Sequence, residues 1–360
     1  MGEQPRTAPA KRLVSGIRPS GALHLGQYVG ALRQWLSYQD EFDCFFIIAD
    51  VQALMTHREQ PDVIRDSVRE VALDWLAVGL DPQRNCFILQ SQLPELTELT
   101  VYLQMLVRTG ELQGNPTVRE EARFLGEGDL GEAPGEVGFG FLGYPVSQVA
   151  DILAFTAIPP RPGDRLIVPV GEDQLPHVEF ARSLARRFNE AYGPVFLEPE
   201  AKTAPVARLP GTDGGPKMGR SRKSTILLKE PEEQYAPKIR AMFTDPLRLR
   251  PDDPGHPDGC PCFLYHQAFS EEAAEVERRY EDCLRARTDC NACAEQLTGI
   301  VRSVLDPIQA RRAGFERQPH VVRDALADGT RRAAPVVRRT IQTVREAMNL
   351  TYPGFFPEAR

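Results

Sequence analysis

Two segments far apart in the chain combine small, flexible residues with a histidine or with cations. Residues 18–27 place His24 directly before a predicted helix. Backbone N–H groups and the positive end of the helix dipole make such a turn a phosphate site. Residues 217–221 follow a glycine-rich loop, so Lys217 and Arg220 could move onto a triphosphate and stabilise a departing pyrophosphate. Each motif alone is weak evidence, whereas the two together predict a nucleotide site.

A group of cysteines is the third candidate for chemistry. Four of them follow the pattern C-x22-C-x6-C-x2-C, at Cys260, Cys283, Cys290 and Cys293. Four thiolates suit either a tetrahedral Zn²⁺ ion or a [4Fe-4S] cluster, and the spacing alone does not separate the two. The alternative is a set of free cysteines without metal. If those four cysteines hold a metal, Cys262 is a spare thiol.

The other cysteines and the remaining histidines are interpreted as structural. Cys44 and Cys86 lie in predicted strands and are expected in the core. Four histidines have no ligand-like neighbour at metal spacing and are interpreted as structural or surface residues: His57, His256, His266 and His320.

The elements that must position these residues alternate between strands and helices. Apolar runs predict strands at residues 13–17, 42–51, 86–90 and 166–170. Helical spacing predicts helices at residues 25–37, 61–80, 144–155 and 173–189, the last capped by Asp173 with Pro176 in its first turn. This order predicts a doubly wound α/β fold, Rossmann-like, with ligands at the carboxyl ends of the strands.

Length and composition predict two domains. A chain of 360 residues with 42% hydrophobic content suits a catalytic domain over 13–230 and a helical domain over 231–360, after a tail over 1–12. Within the catalytic domain, residues 110–143 are interpreted as an insertion or mobile segment and residues 208–224 as a flexible loop. Amphipathic stretches at 271–287, 294–312 and 321–349 predict the helices of the second domain.

Charge and hydropathy limit the class of protein. The net charge of −7 argues against a general nucleic-acid coat protein. Residues 302–345 nevertheless hold ten arginines and four acids, or 10 − 4 = +6, which fits either a solvated helical face or one that faces a nucleic acid. No run of about 18 apolar residues exists and the first dozen residues are polar, so we expect a cytoplasmic protein without a membrane helix or signal peptide.

Several motifs follow one another in order along the chain. Residues 15–21 are Ser-Gly-Ile-Arg-Pro-Ser-Gly, and residues 168–174 are Val-Pro-Val-Gly-Glu-Asp-Gln, followed by His177. These two motifs resemble the S-G-I-Q-P-S-G and V-P-V-G-E-D-Q-x-x-H of the class I tryptophanyl-tRNA synthetases. Residues 24–27 and 217–221 stand where class I enzymes carry HIGH and KMSKS. The resemblance runs from about Leu13 to Met348, broken chiefly at 110–143 and in the cysteine region.

The resemblance implies a two-step reaction with ATP and Mg²⁺. The tryptophan carboxylate attacks the ATP α-phosphate, and a ribose hydroxyl of tRNA(Trp) then takes the aminoacyl group. It implies catalytic roles for His24, Gln27, Lys217, Arg220 and Ser221. It implies a nucleotide site of Arg18, Pro19, Ser20, His24, Gly26, Gln27, Gly171, Glu172, Asp173, Leu209, Lys217, Met218, Gly219, Arg220 and Ser221.

The same resemblance implies a tryptophan pocket in which Asp151 accepts a hydrogen bond from the indole N–H, because that group is only a donor. Its other members are Val14, Gly16, Tyr144, Gln148, Val168, Val170 and Gln174. Asp151 as an exposed helix charge is the structural alternative. Gln148 beside Asp151 also resembles tyrosyl-tRNA synthetases, so a tyrosine-specific relative is one alternative function. A weakly catalytic paralogue that binds tryptophan or an adenylate as a partner protein is the other.

A subset of the family resembles this chain in the spacing of its four cysteines, which there hold an iron–sulfur cluster near the anticodon. The resemblance therefore favours a [4Fe-4S] cluster over Zn²⁺. It also implies a homodimer in which one tRNA contacts both subunits.

Overall fold

The computed structural model describes residues 9–126, 130, 137–203, 209–215, 218, 224–242, 245, 247–248, 250, 252–270 and 272–355. The backbone of residues 124, 125 and 173 is described without their side chains. Residues 217 and 219–221 of the predicted cationic loop lie outside these ranges.

A five-stranded parallel sheet forms the centre of the fold. In chain order the strands are β1 (Lys11–Ile17), β2 (Asp43–Ile48), β3 (Cys86–Leu89), β4 (Arg165–Val170) and β5 (Glu200–Thr203). Their spatial order is β3-β2-β1-β4-β5, with every neighbouring pair parallel. The connections therefore change direction between β1 and β4, which is where doubly wound sheets bind ligands. The predicted α/β fold class is confirmed.

The helices occupy most of the remaining chain. They are α1 (Leu25–Gln27), α2 (Arg33–Tyr38), α3 (Asp50–Thr56), α4 (Pro61–Val78), α5 (Pro94–Gln104), α6 (Thr109–Gly114), α7 (Pro116–Leu125), α8 (Phe139–Leu153), α9 (Leu175–Tyr192), α10 (Glu232–Arg240), α11 (Pro261–Phe269), α12 (Ala273–Leu284), α13 (Cys290–Glu316) and α14 (Pro319–Ala347). A π-helical turn, Tyr28–Leu32, joins α1 to α2, so the helix predicted at 25–37 is present but irregular. No helix within the described ranges is long and apolar enough to cross a membrane.

Two predicted boundaries are wrong. The strand predicted at 42–51 ends at Ile48, because Asp50 opens α3, where a carboxylate is stabilised by the helix dipole. Gln174, not Asp173, is the N-cap residue of α9, since residues 172–174 form a 3-10 turn first. The segment 110–143, interpreted as an insertion or mobile segment, contains α7 and parts of α6 and α8.

Alternate residues along each strand face two separate hydrophobic layers. Leu13 and Ile17 of β1 join one layer, whereas Val14 joins the other. The first layer is centred on Trp35, which stacks on Phe46 with ring centroids 4.5 Å apart. The second layer contains most of α8, so residues of β1 that face it also face the predicted ligand pocket.

The last long helix covers the edge strand β3. Gly329 of α14 lies against the Phe87 backbone, and the Leu89 N–H donates to Thr330 Oγ1 at 3.1 Å. An exposed edge strand would present unpaired backbone groups, and α14 covers this one. The carboxyl-terminal helices are thus part of the same packed core as the sheet.

Several arginines of the basic stretch 302–345 make internal contacts. Arg312 is buried and binds Asp74 and Glu70 of α4. Arg332 donates to the Pro82 and Asn85 carbonyl oxygens at 2.5 and 2.7 Å. These arginines attach α13 and α14 to the rest of the molecule, so part of the +6 charge lies in internal contacts and not on a surface.

Candidate active site and cysteine cavity

The turn after β1 is fixed by a reciprocal cap. His24 Nδ1 accepts the Gln27 N–H at 3.2 Å, and Gln27 Oε1 accepts the His24 N–H at 3.1 Å. His24 is only 7% exposed. With Nδ1 as the acceptor, the neutral ring carries its proton on Nε2. The local sequence therefore holds the predicted histidine in one orientation.

Met218 brings the second predicted segment to this turn. A Cβ added at Gly26 would lie 3.3 Å from the Met218 Cβ and 3.1 Å from His24 Nδ1. Met218 is buried, and its N–H donates to the Leu209 carbonyl oxygen at 3.0 Å. Two segments almost two hundred residues apart are thus in contact, and a side chain at Gly26 would push them apart.

Arg18 lies at the same end of the sheet and is bound to α7. Its guanidinium is 2.5 Å from Glu121 Oε1 and lies over the Tyr144 ring, 5.6 Å from the centroid. The Tyr144 hydroxyl is 3.4 Å from His177 Nε2. Burial raises the pKa of Tyr144 and lowers the pKa of His177 to about 4, so both groups are neutral at physiological pH.

Asp151 is buried on α8, so its interpretation as an exposed helix charge is wrong. Asp151 is only 6% exposed, and both of its carboxyl oxygens accept a hydrogen bond from Gln90 Nε2 at 2.8 Å. Burial raises the pKa of Asp151 to about 7, against the lowering effect of Gln90, and the nearby charge of Asp50 raises it further. The carboxyl group therefore titrates near neutrality.

The other predicted pocket residues surround the carboxyl ends of β1 and β4. Val14, Pro19 and Val168 are buried, and Gly16 is exposed with its Cα against the Ile47 carbonyl oxygen of β2. Glu172 is exposed. The remaining described members are half-buried: Ser20, Gln148, Val170, Gly171 and Gln174.

Sequence reasoning missed Gln90 and Glu121. Gln90 directly follows the apolar strand β3, and a polar residue at the carboxyl end of a parallel strand is the signal that could have identified it. Glu121 belongs to α7, inside a segment interpreted as an insertion, so the sequence offered no comparable signal.

Five cysteines line a cavity of about 400 Å³ between the carboxyl-terminal helices: Cys260, Cys262, Cys283, Cys290 and Cys293. Cys262 Sγ and Cys293 Sγ are 3.4 Å apart. The potential ligand atoms of Cys262, His266 and Cys293 all lie within 4.8 Å of one another. The interpretation that His266 has no ligand-like neighbour is therefore wrong, since α11 places it one turn after Cys262. Cys44 and Cys86 are buried in the core, as predicted.

Cations surround the same cavity. Its wall includes Arg240, Arg248, Arg278, Arg279 and Arg287. Burial raises the pKa of the Cys283 thiol to about 11, whereas the hydrogen bond from Cys262 lowers the pKa of Cys293. Asp282 and Asp289 also line the cavity, so its five arginines outnumber its two carboxylates. The excess positive charge would offset the charge of several thiolates bound to a metal.

The chain is similar to known proteins over almost its whole length. The family model for class I tRNA synthetases (W and Y) matches residues 7–306. A tryptophan–tRNA ligase of Treponema pallidum is 42% identical over 94% of this chain and 97% of its own length. One of Thermotoga maritima is 40% identical over 95% of this chain and 100% of its own length. The chain belongs to the tryptophanyl-tRNA synthetase family.

Solved structures agree with this assignment. The tryptophanyl-tRNA synthetase of Mycoplasma pneumoniae superposes with a TM-score of 0.78 at 26% identity, covering 95% of this chain and 98% of its own. That of Campylobacter jejuni, complexed with ADP and tryptophan, gives 0.75 at 27% identity, covering 94% and 99%. A tyrosyl-tRNA synthetase of Aeropyrum pernix, at 18% identity and a TM-score of 0.63, shares the fold.

Proposed function

We propose that this chain activates L-tryptophan with ATP to form tryptophanyl-adenylate and then transfers the aminoacyl group to tRNA(Trp). Beyond family membership, the observation that supports tryptophan most is the buried carboxyl group of Asp151, two turns after the buried Tyr144 on α8. An indole ring needs apolar walls and one acceptor for its N–H. A carboxylate held away from water supplies that acceptor, and an analogue without the N–H would leave it unpaired at a cost.

In the first step, the tryptophan carboxylate attacks the ATP α-phosphorus and pyrophosphate leaves. The enzyme positions the reactants and stabilises charge rather than supplying a nucleophile. We assign His24, Gly26 and Gln27 to the adenine and phosphates, together with Arg18, Pro19 and Ser20. The contact between Gly26 and Met218 supports this assignment, because it brings the later segment beside the turn.

The remaining nucleotide contacts are assigned by resemblance. Gly171, Glu172 and Asp173 would bind the ribose, and Leu209 with Met218 would flank the adenine. Lys217, Arg220 and Ser221 would bind the pyrophosphate. Mg²⁺, when bound, neutralises the charge of the phosphate oxygens. In the second step, the terminal ribose hydroxyl of the tRNA attacks the adenylate carbonyl carbon and AMP leaves.

Amino-acid-dependent ATP–pyrophosphate exchange tests the proposed function. We expect exchange with tryptophan and none with tyrosine or without an amino acid. Exchange with tyrosine alone would establish the tyrosine-specific alternative, for which Gln148, one turn before Asp151, is the supporting residue. If no amino acid supports exchange although tryptophan still binds, the chain is instead a weakly catalytic paralogue that acts as a binding partner.

For the cysteine cavity we propose a [4Fe-4S] cluster held by Cys260, Cys283, Cys290 and Cys293, with Zn²⁺ as the alternative. All four line one cavity of about 400 Å³ with arginines in its wall, which fits an anionic thiolate-bound group. We expect the cluster to be architectural, since it would join α11, α12 and α13.

Metal analysis of anaerobically purified protein tests the cluster. The chain should contain iron and acid-labile sulfide and show charge-transfer absorbance in the visible range. Cys290→Ser should lose all three signals, whereas the buried core variant Cys44→Ser should retain them. Zinc without sulfide would support the alternative metal, and neither metal would leave the cysteines as free thiols.

Three further features belong to the same proposal. The chain acts in the cytoplasm as a homodimer, with each tRNA(Trp) contacting both subunits. Its catalytic domain spans residues 13–230 and its helical, anticodon-binding domain residues 231–360. Sedimentation of the protein with one and two equivalents of tRNA tests the dimer and its stoichiometry.

A further inference from the structure

The side-chain amide of Gln90 is hydrogen-bonded through both its nitrogen and its oxygen. Its Nε2 donates to both oxygens of Asp151 at 2.8 Å, and its Oε1 accepts the Gln52 backbone N–H at 3.0 Å. Reversing the amide would place an oxygen against a carboxylate and an NH₂ against a donor, so the network permits one orientation. Gln90 is 4% exposed.

The surroundings of Gln90 also prevent it from rotating away. The residue begins the 3-10 turn after β3, and the strand fixes its backbone. The adjoining cavity, whose lining includes Thr100 and Ser147, measures about 30 Å³. That volume has room for about two or three water molecules, so it offers little space to a displaced glutamine side chain.

Gln90 opposes the two features that disfavour the charged form of Asp151. Burial and the charge of Asp50 both favour a protonated carboxyl group, and the hydrogen bond from Gln90 favours the ionised one. Within the described ranges, Gln90 is the residue whose side chain donates to Asp151. Since an ionised carboxylate can accept about four hydrogen bonds, Asp151 retains acceptor capacity for a ligand.

We propose that Gln90 is a positioning residue for amino-acid selection: held by the Gln52 backbone N–H, it orients the Asp151 carboxyl group to accept the indole N–H. This inference rests on the proposed function, because it assigns the ligand of Asp151. Gln90 acts through Asp151 and does not itself contact the reacting atoms.

Gln90→Met tests the proposal, since methionine has a similar length and no N–H donor. The KM for tryptophan in pyrophosphate exchange should rise about 10- to 100-fold, the effect of losing a hydrogen bond to a charged group. The KM for ATP should stay unchanged. The pH profile of kcat/KM for tryptophan should move to higher pH, and discrimination against 3-benzothienylalanine, which carries sulfur in place of the N–H, should fall.

The matched control is Gln92→Met, two residues along in the same turn, where the glutamine is exposed and its side chain donates to Ser91 Oγ. All four readouts should equal those of the wild type. The burst amplitude of adenylate formation gives the folded, active fraction of each variant, and the kinetic constants are corrected for that fraction. If Gln90→Met does not fold, Gln90→Asn is the second variant, because its amide donor is one methylene further from Asp151. The tryptophan KM and the pH profile should then change in the same directions.

The outcomes separate the two proposals. Wild-type exchange with tyrosine instead of tryptophan would refute the proposed function before any variant is compared. If the wild type uses tryptophan but Gln90→Met keeps its tryptophan KM, pH profile and discrimination, the positioning role of Gln90 is wrong and the proposed function stands. An equal loss of kcat/KM for tryptophan, ATP and the analogue would likewise refute the positioning role, because it would indicate that Gln90 is only structural.

Discussion

Gly329→Ala should destabilise the protein although alanine favours helices. A Cβ at this position of α14 would lie 3.0 Å from the Phe87 carbonyl carbon and closer still to the Phe87 nitrogen and oxygen. These are backbone atoms of the edge strand β3, so no side chain can rotate to make room. The helix and the strand must move apart.

The magnitude follows from two opposing effects. Overpacking a tight contact costs about 1–3 kcal/mol, and a contact with backbone atoms belongs at the upper end of that range. Replacing glycine by alanine inside a helix returns about 1 kcal/mol. The net loss in the free energy of unfolding should therefore be about 2 kcal/mol. The Thr330 hydrogen bond to the Leu89 N–H lies beside this contact, so the carboxyl end of β3, and Gln90 with it, should shift too.

Urea denaturation with Gly299→Ala as the control measures this effect. Gly299 of α13 is exposed and has nothing within 4 Å of an added Cβ, so that variant should gain up to about 1 kcal/mol. The two variants should thus differ by about 3 kcal/mol. Gly329→Ala should also raise the KM for tryptophan. Equal stability of the two variants would refute the packing of α14 on β3.

Three further predictions concern buried or strained groups. Because burial raises the pKa of Asp151 to about 7, kcat/KM for tryptophan should rise about tenfold per pH unit below that value and level off above it. Because the folded state binds this proton more tightly than the unfolded state, the carboxyl group stabilises the protein below its ordinary pKa of 3.8, and this stabilisation is lost as pH rises through about 7. Unfolding curves of the wild type and of Asp151→Asn, measured across that pH range, would detect the loss. Arg312→Met should cost about 3–5 kcal/mol by leaving Asp74 buried and unpaired, whereas the exposed Arg317→Met should change thermal stability little. Ala286→Gly should raise the melting temperature, since Ala286 has φ of 55° and glycine adopts that conformation without strain; an unchanged melting temperature would contradict this.

Four of the five strands and the signature turn were predictable because they depend on local patterns. The apolar runs around Leu13 and Phe46 identify strands, and His24 before Leu25 identifies the start of a helix. The partners of buried polar groups were not predictable in the same way. Gln90 meets Asp151 across 61 residues, a pairing that depends on how α8 packs on the sheet.

The cysteine region shows the same limit. The spacing of Cys290 and Cys293 indicates a metal site. The approach of Cys262 and His266 to Cys293, however, depends on how α11 packs against α13. Likewise, the charge of residues 302–345 was visible in the sequence. The sequence did not show that Arg312 binds Asp74 in the interior, because this contact exists only once the fold brings α13 onto α4.

The most direct test of the account is a crystal structure of the enzyme with tryptophan and a non-hydrolysable ATP analogue. We predict the indole nitrogen at about 2.9 Å from an Asp151 oxygen that Gln90 still holds, and Lys217 on the phosphate chain beside His24. An indole ring that binds elsewhere, or an Asp151 carboxylate that contacts only Gln90 while the pocket is occupied, would contradict the central claim.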